Sequence, residues 1–150
     1  MSDPLDRLKE TLKSHSQSLT RPRMLIFSAL IGHEAQSMQQ LVASCSKEVD
    51  RASVYRTVAL FEELGIVQRL HIGWKYKIEL SDAFQLHHHH LTCVSCGTTI
   101  PLPADEALED RLQALADSAE FRVQRHQVEI QGVCKDCQAK LAEPDVSREV

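Results

Sequence analysis

The stretch Arg51-Ala-Ser-Val54-Tyr55-Arg56-Thr-Val58-Ala-Leu-Phe61-Glu-Glu-Leu64-Gly65-Ile66-Val67-Gln68-Arg69-Leu70 changes its hydrophobic period part-way along, and that change decides the fold. Val54, Val58 and Phe61 recur at helical spacing, so a helix is predicted to begin after Asp50, and Gly65 stands where a helix C-terminal glycine belongs. The opposite face carries Arg51, Tyr55 and Arg56. Beyond Gly65 the period falls to two. Ile66 to Leu70 is followed by a turn near Gly73, then by Tyr76, Ile78 and Leu80 alternating with Lys75, Lys77 and Glu79, which predicts a hairpin.

Towards the N-terminus, Leu5, Leu8 and Leu12 mark one helix, and a second runs from about Arg21 to Ile31 with Thr20 as N-cap and Pro22 in its first turn. Ser37-Met-Gln-Gln40 has the form of a capping box and opens a short third helix at Leu41 and Val42. Three helices and a hairpin make a winged helix-turn-helix, whose last helix enters the major groove while the hairpin lies along the backbone. On an isolated helix Arg51, Tyr55 and Arg56 would read as a solvated face. The surrounding elements make them candidate DNA contacts.

Towards the C-terminus, a strand from Leu86 through Thr92 is broken by Cys93-Val-Ser-Cys96-Gly97 and resumes from Thr98 to Leu102, with Pro101 and Pro103 closing it. Asp105 to about Ala119 predicts a helix with Leu108, Leu112 and Leu115 inward, and Phe121 to Ile130 a strand on which Val123, Val128 and Ile130 alternate. The expected class is therefore α+β: an N-terminal winged helix-turn-helix over residues 1–82, then a small α/β dimerisation domain with a four-cysteine zinc site over 83–140. Residues 141–150 are polar and expected to be a disordered tail.

Of the 150 residues 43% are hydrophobic, yet no apolar stretch approaches the roughly 20 residues a membrane helix needs. The N-terminus lacks the basic start and apolar run of a secretory signal, so a cytoplasmic protein without membrane contact is expected. The net charge of −4 argues against a nucleic-acid partner for the chain as a whole. The charge is segregated, however: residues 1–80 hold 11 basic against 9 acidic side chains, residues 81–150 hold 6 against 12. Only the first part is fit to approach phosphate.

Five cysteines in a reducing compartment do not suggest disulfides, and four of them fall as Cys93-x-x-Cys96 and Cys134-x-x-Cys137. Four thiolates form the tetrahedral set that structural zinc prefers, and a closed four-sulfur site leaves no position for substrate. A redox dithiol or plain core cysteines are the alternatives. Cys45, without a nearby partner, is expected as a buried small apolar residue.

His87-His88-His89-His90 is the most unusual string. On a strand the period of two sends His88 and His90 to one face, His87 and His89 to the other, so one run can serve two metal sites. Available partners are His33 and Glu79 on the N-terminal side, Glu109 and His126 on the C-terminal side. A lone histidine would be a solvated polar residue. Four beside a Cys-x-x-Cys knuckle point to metal.

Leu19-Thr20-x-x-Arg23, Ser53-Val54-Tyr55-Arg56-Thr57-Val58, Leu64-Gly65-Ile66-Val67, the histidine run leading into Leu91-x-Cys93-x-x-Cys96-Gly97, and Cys134-x-x-Cys137 together resemble the ferric uptake regulator family over about residues 5–138. The resemblance implies that Tyr55 and Arg56 contact DNA, with Arg51 and Arg23 as further candidates, and that Cys93, Cys96, Cys134 and Cys137 hold structural zinc. It also implies a regulatory metal site of His33, Glu79, His88 and His90, and an additional one of His87, His89, Glu109 and His126. The loop around His33 does not align cleanly, so Glu34 or His71 stands as an alternative to it. His89 replaces a frequent aspartate, which makes its site richer in nitrogen and less particular to iron. Glutamate at 79 and 109 leans towards iron and away from peroxide sensing.

The expected protein is thus a homodimeric, metal-dependent repressor that binds a double-stranded DNA operator, with Fe(2+) or Zn(2+), and Mn(2+) as a further candidate, as regulatory metal. A zinc-responsive regulator of the same family is the alternative. A zinc-dependent hydrolase or a metal buffer is the rival from another class. The sequence offers neither His-Glu-x-x-His nor His-x-Glu followed by Pro-Cys-x-x-Cys, so no enzyme is expected.

Overall fold

The computed structural model describes residues 3–72 and 75–142, and the chain divides into two compact units, Met1–Leu86 and His87–Val150. The first unit runs α1 (Pro4–Ser14), α2 (Arg21–Ser28), α3 (Met38–Cys45), α4 (Arg51–Glu63), β1 (Val67–Ile72) and β2 (Lys75–Leu80). Each helix after α1 starts at the cap its sequence announces. Thr20 and Asp50 accept from the backbone N–H of Arg23 and Ser53, at 3.5 and 3.0 Å. Ser37 and Gln40 complete a reciprocal capping box, at 3.2 and 2.8 Å. Gly65 ends α4 at φ 68°, a conformation that costs a glycine little and a β-carbon residue 1–2 kcal/mol or so.

The four helices and one face of the hairpin close over a single apolar core. Leu8, Leu12, Ile26, Phe27, Leu41, Val54, Phe61, Ile66 and Ile78 are fully buried, and the Phe27 ring meets Phe61 and Phe84 edge-on. Each such side chain contributes roughly 1.5–3 kcal/mol of transfer free energy, so this unit carries a core adequate to its size. Cys45 lies in it, buried as a small apolar side chain. In the hairpin Val67 pairs with Leu80 and Gln68 with Glu79, through to Ile72 with Lys75; the turn expected at Gly73 lies outside the described residues. An isolated bridge joins Gln36 to Ile78, so the loop that carries His33 and Glu34 is stitched to β2 beside Glu79.

The second unit runs β3 (His88–Cys93), β4 (Thr99–Pro103), α5 (Glu106–Ser118), β5 (Glu129–Gly132) and α6 (Lys135–Ala142). Its sheet has the order β4-β3-β5, with β3 antiparallel to β4 and parallel to β5. Three expectations need correction. Pro101 and Pro103 lie within β4 instead of closing it, which an edge strand tolerates because one side of its backbone needs no ladder partner. The strand expected from Phe121 to Ile130 shrinks to the four residues of β5, because the polar stretch from Arg122 to Gln127 lacks a sustained alternation. The leucine stripe of α5 is present but not inward: Leu108 is 36% and Leu115 51% exposed, and nothing among the described residues buries them.

α6 was not expected, since its apolar content is thin. Of the expected tail, residues 141 and 142 belong to this helix and 143–150 lie outside the described residues. Among the described residues no helix is long and apolar enough to cross a membrane.

Candidate metal centre and nucleic-acid interface

The knuckle at the end of β3 is set by local chemistry. Cys93 N–H donates to Thr98 O at 2.8 Å and Gly97 N–H to Cys93 O at 2.9 Å, a turn closed with Gly97 at φ 73°. The other pair sits at the start of α6, where Gln138 N–H donates to Cys134 O at 2.9 Å, so Cys134 and Cys137 are one helical turn apart. All four sulfurs lie within 4.8 Å of one another, and Cys96 Sγ is 3.7 Å from Cys134 Sγ. A tetrahedron with metal–sulfur bonds of ~2.3 Å has edges of about 3.8 Å. The set fits zinc.

Its proton inventory agrees. The Cys134 N–H, 3.3 Å from Cys93 Sγ, and the Cys96 N–H stabilise the Cys93 thiolate and lower its pKa to about 6. Hydrogen bonding with the side chain and backbone of Thr98, whose Oγ1 is 3.1 Å from Cys96 Sγ, also lowers that of Cys96. Cys137 is pushed up to about 12, because its hydrogen bonds with Cys134 and Cys96 favour the neutral thiol. A divalent ion at the centre reverses that preference. Loading the reduced, metal-free protein with zinc is therefore expected to acidify the medium, because thiols protonated before binding, Cys137 among them, must give up their protons to become ligands. An indicator-dye titration reads this, and zinc uptake without proton release would exclude Cys137 as a ligand.

A second cluster gathers His87, His89, Glu109 in the first turn of α5, and His126 from the irregular segment before β5. Glu109 Oε1 lies 2.8 Å from His89 Nε2 and 3.4 Å from His87 Nε2. Glu109 Oε2 lies 2.9 Å from His126 Nε2, itself 3.0 Å from His87 Nε2. Burial opposes ionisation of Glu109, but the His89 hydrogen bond and the three nearby imidazoles together lower its pKa. First-row ions with bonds of ~2.0–2.1 Å give donor–donor edges from about 2.8 Å in an octahedron to about 3.4 Å in a tetrahedron, the range found here. One ion satisfies all four groups at once, whereas two Nε2 atoms facing each other otherwise need a proton between them.

The even members of the run sit apart from that cluster. The His88 and His90 rings lie 4.7 Å apart, and His90 is buried. In the first unit Glu79 is buried on β2, and Gln68 Nε2 donates to its Oε1 at 2.8 Å. His33, Glu34 and His71 are exposed, and none belongs to a group of ligand atoms within metal-binding reach among the described residues.

On α4, Arg51, Tyr55 and Arg56 are exposed on one helix. The Arg51 guanidinium lies 5.5 Å from the Tyr55 ring centre, a cation–π contact of the kind worth ~0.5–1 kcal/mol at exposed sites. Arg56 donates to Ser53 Oγ at 3.0 Å, and Ser53 donates to Asp50 at 2.6 Å, which lowers the Asp50 pKa. Arg23 stands elsewhere, on α2, and its guanidinium donates to Ser18 O and Gln17 Oε1 at 2.5 and 3.0 Å. It holds the α1–α2 loop. On the hairpin, Arg69 stacks 4.3 Å over Tyr76 and pairs with Glu62 of α4 at 2.7 Å, tying wing to helix.

The model of the ferric uptake regulator family matches residues 14–131. The chain belongs to the ferric uptake regulator family. Members of this family are metal-responsive transcriptional regulators. The chain is similar to the ferric uptake regulation protein of Bacillus subtilis, at 31% identity over 95% of this chain and all of that one. That of Neisseria meningitidis serogroup A is 32% identical over 86% of this chain and 92% of its own length. Among solved structures, the ferric uptake regulator of Vibrio cholerae superposes with TM-score 0.69 at 30% identity, over 84% of this chain and 98% of that one. A zinc-bound manganese uptake regulator superposes with TM-score 0.61 at 28% identity, over 85% and 98%.

Sequence reasoning passes over Gln68 and Thr98. Gln68 becomes visible only through the hairpin register, which sets it opposite Glu79. Thr98 falls in the knuckle and carries no metal-ligand signal of its own.

Proposed function

We propose that the chain is a metal-dependent, DNA-binding transcriptional repressor of metal homeostasis, acting in the cytoplasm as a homodimer, and responsive to iron. The observation that carries this reading is the sorting of the histidine run. His87 and His89 gather with Glu109 and His126, while His88 and His90 pair with each other, so one strand addresses two sites. In this reading the four-cysteine set holds structural Zn(2+). Glu79, His88 and His90 hold the regulatory ion, with His33 joining them only once its exposed loop moves towards the bound ion, and His87, His89, Glu109 and His126 hold a further one. The first unit is the DNA-binding domain and the second the dimerisation domain. Exposed Ile100, Leu115, Phe121 and Ile130 support the latter role, because such an area of apolar surface favours a partner.

The mechanism is a population shift. Ligands from both units must be brought to one ion, so the ion favours the arrangement in which they meet. A dimer whose recognition helices must reach successive major grooves binds its operator only in a fixed arrangement, because half-site spacing is geometric. Shifting such an equilibrium from 1:99 to 99:1 takes about a 10⁴-fold difference in metal affinity between the two states. Three imidazoles make the further site around His89 nitrogen-rich and less particular to iron.

The test is duplex binding at several salt concentrations with Fe(II), Mn(II) or Zn(II), and again after chelation. Specific binding is expected with metal and its loss without; a metal buffer or a hydrolase shows neither. Within that assay Arg56→Ala should weaken operator binding by about 1–3 kcal/mol if it reads a base edge, or lower the salt slope by about one if it holds phosphate. Unchanged affinity and slope would mean that α4 is not the reader.

A further inference from the structure

The hydroxyl of Ser53 sits between a carboxylate and a guanidinium at the start of α4. Its proton goes to Asp50 Oδ2 at 2.6 Å, while the Ser53 backbone N–H donates to Asp50 Oδ1 at 3.0 Å. A serine hydroxyl has one proton, so with that given to Asp50 the oxygen can only accept. Arg56, one turn on, is the donor: its Nη2 lies 3.0 Å from Ser53 Oγ. The Ser53 hydroxyl, then the Ser53 backbone N–H, hold the Asp50 carboxyl below its usual range, and the Arg56 charge acts in the same direction. The three side chains form one hydrogen-bonded chain of fixed polarity, running from Arg56 through Ser53 to an ionised Asp50. Capping the helix does not need it. The cap is complete with the Ser53 backbone N–H, and asparagine caps as well as aspartate. The side-chain half of the arrangement acts on Arg56, an exposed residue whose long side chain has many rotamers to choose from.

We propose that Ser53 and Asp50 are positioning residues for Arg56, holding its guanidinium so that it reads a guanine edge in the major groove, and that Ser53 thereby determines base specificity. The inference rests on the reading of α4 as the recognition helix. Guanine offers O6 and N7 side by side, and a guanidinium satisfies both only when its plane and approach are set. A phosphate is less demanding, since a point charge serves it from many directions. The Asp50 carboxylate also occupies the N-terminus of α4, where a phosphate would otherwise be drawn. Ordering Arg56 in the free protein removes part of the cost of immobilising it at the interface. That gain goes to the duplex whose bases meet the fork and not to DNA in general.

The test uses the full zinc-containing chain with the metal that supports specific binding, a duplex selected by it from a randomised pool, and an unrelated duplex of equal length. Arg56→Ala first establishes that Arg56 contributes to the preference for the selected duplex. Ser53→Ala removes the bridging oxygen. Asp50→Asn keeps a good cap, but its NH₂ donates to Ser53 Oγ and reverses the polarity of the chain. Each of these two is expected to weaken binding to the selected duplex about 2–12-fold, the usual effect of immobilising one rotamer-rich side chain. The unrelated duplex and the salt slope should be unaffected. Ser53→Thr, which keeps the hydroxyl, should match wild type, and Ser53→Ala should add nothing in an Arg56→Ala background. Wild-type preference in Ser53→Ala or in Asp50→Asn, with the preference lowered in Arg56→Ala, overturns the inference and leaves α4 as the reader. Equal losses on both duplexes, or a loss in Ser53→Ala that persists without Arg56, also overturn it, since the hydroxyl then acts on phosphate contacts or on the helix itself. An unchanged preference in Arg56→Ala removes the base-reading role of Arg56 and the inference together.

Discussion

Cys96→Ser is expected to lose about one zinc ion per chain and with it the fold of the second unit, while the first unit melts as before. The asymmetry follows from where the apolar side chains are buried. Among the described residues every buried hydrophobic side chain but one lies between Leu8 and Phe84, and the exception is Cys93, itself a member of the sulfur set. α5 buries no residue, and the side chains beyond residue 86 that are most thoroughly buried besides Cys93 are polar: His89, His90, Thr92 and Thr99. A unit of this size without an apolar core needs another source of folding free energy, and structural zinc supplies on the order of 10–16 kcal/mol in peptides of similar design. Losing even ~3 kcal/mol of it would lower the midpoint of a small domain by about 12–24 °C. Metal analysis and calorimetry together read the result. A mutant with full zinc content and an unshifted second transition would remove the staple.

The parts legible in the sequence are those whose causes are local. Asp50 and Gly65 bracket α4 because a cap needs only the next three residues and a left-handed terminus needs only a glycine. The two Cys-x-x-Cys spacings are read in the same way. What escaped depends on residues far along the chain or on a partner. α6 owes its first turn to Cys134 and Cys137 facing Cys93 and Cys96, not to an apolar stripe. The exposed leucines of α5 have the right period, and periodicity says which face is apolar without saying what covers it. Gln68 is opposite Glu79 only once the register from Val67↔Leu80 is known. Arg23 is the reverse case: it is part of a motif, yet its guanidinium is engaged with Ser18 and Gln17.

His90→Ala and His89→Ala, adjacent substitutions of the same residue type, are expected to have different consequences. Strand geometry turns successive side chains to opposite faces. His89 Nε2 is 2.8 Å from Glu109 Oε1 and its ring 4.9 Å from that of His87, whereas the His90 ring lies 4.7 Å from that of His88. In the proposed mechanism His90 serves the ion that sets the DNA-binding arrangement. Its loss should abolish the metal-dependent gain in operator affinity, a coupling of typically about 5–150-fold, while the dimer survives. His89→Ala instead takes one of four donors from a cluster contained in the second unit. The metal of that cluster should be lost and dimer dissociation should rise, with metal-dependent DNA binding retained once protein concentration keeps the dimer assembled. Metal stoichiometry, sedimentation and operator binding, measured on both variants, separate the outcomes. If the two variants coincide in all three measurements, the run acts as a single mixed site and the assignment of alternate histidines to different ions is wrong.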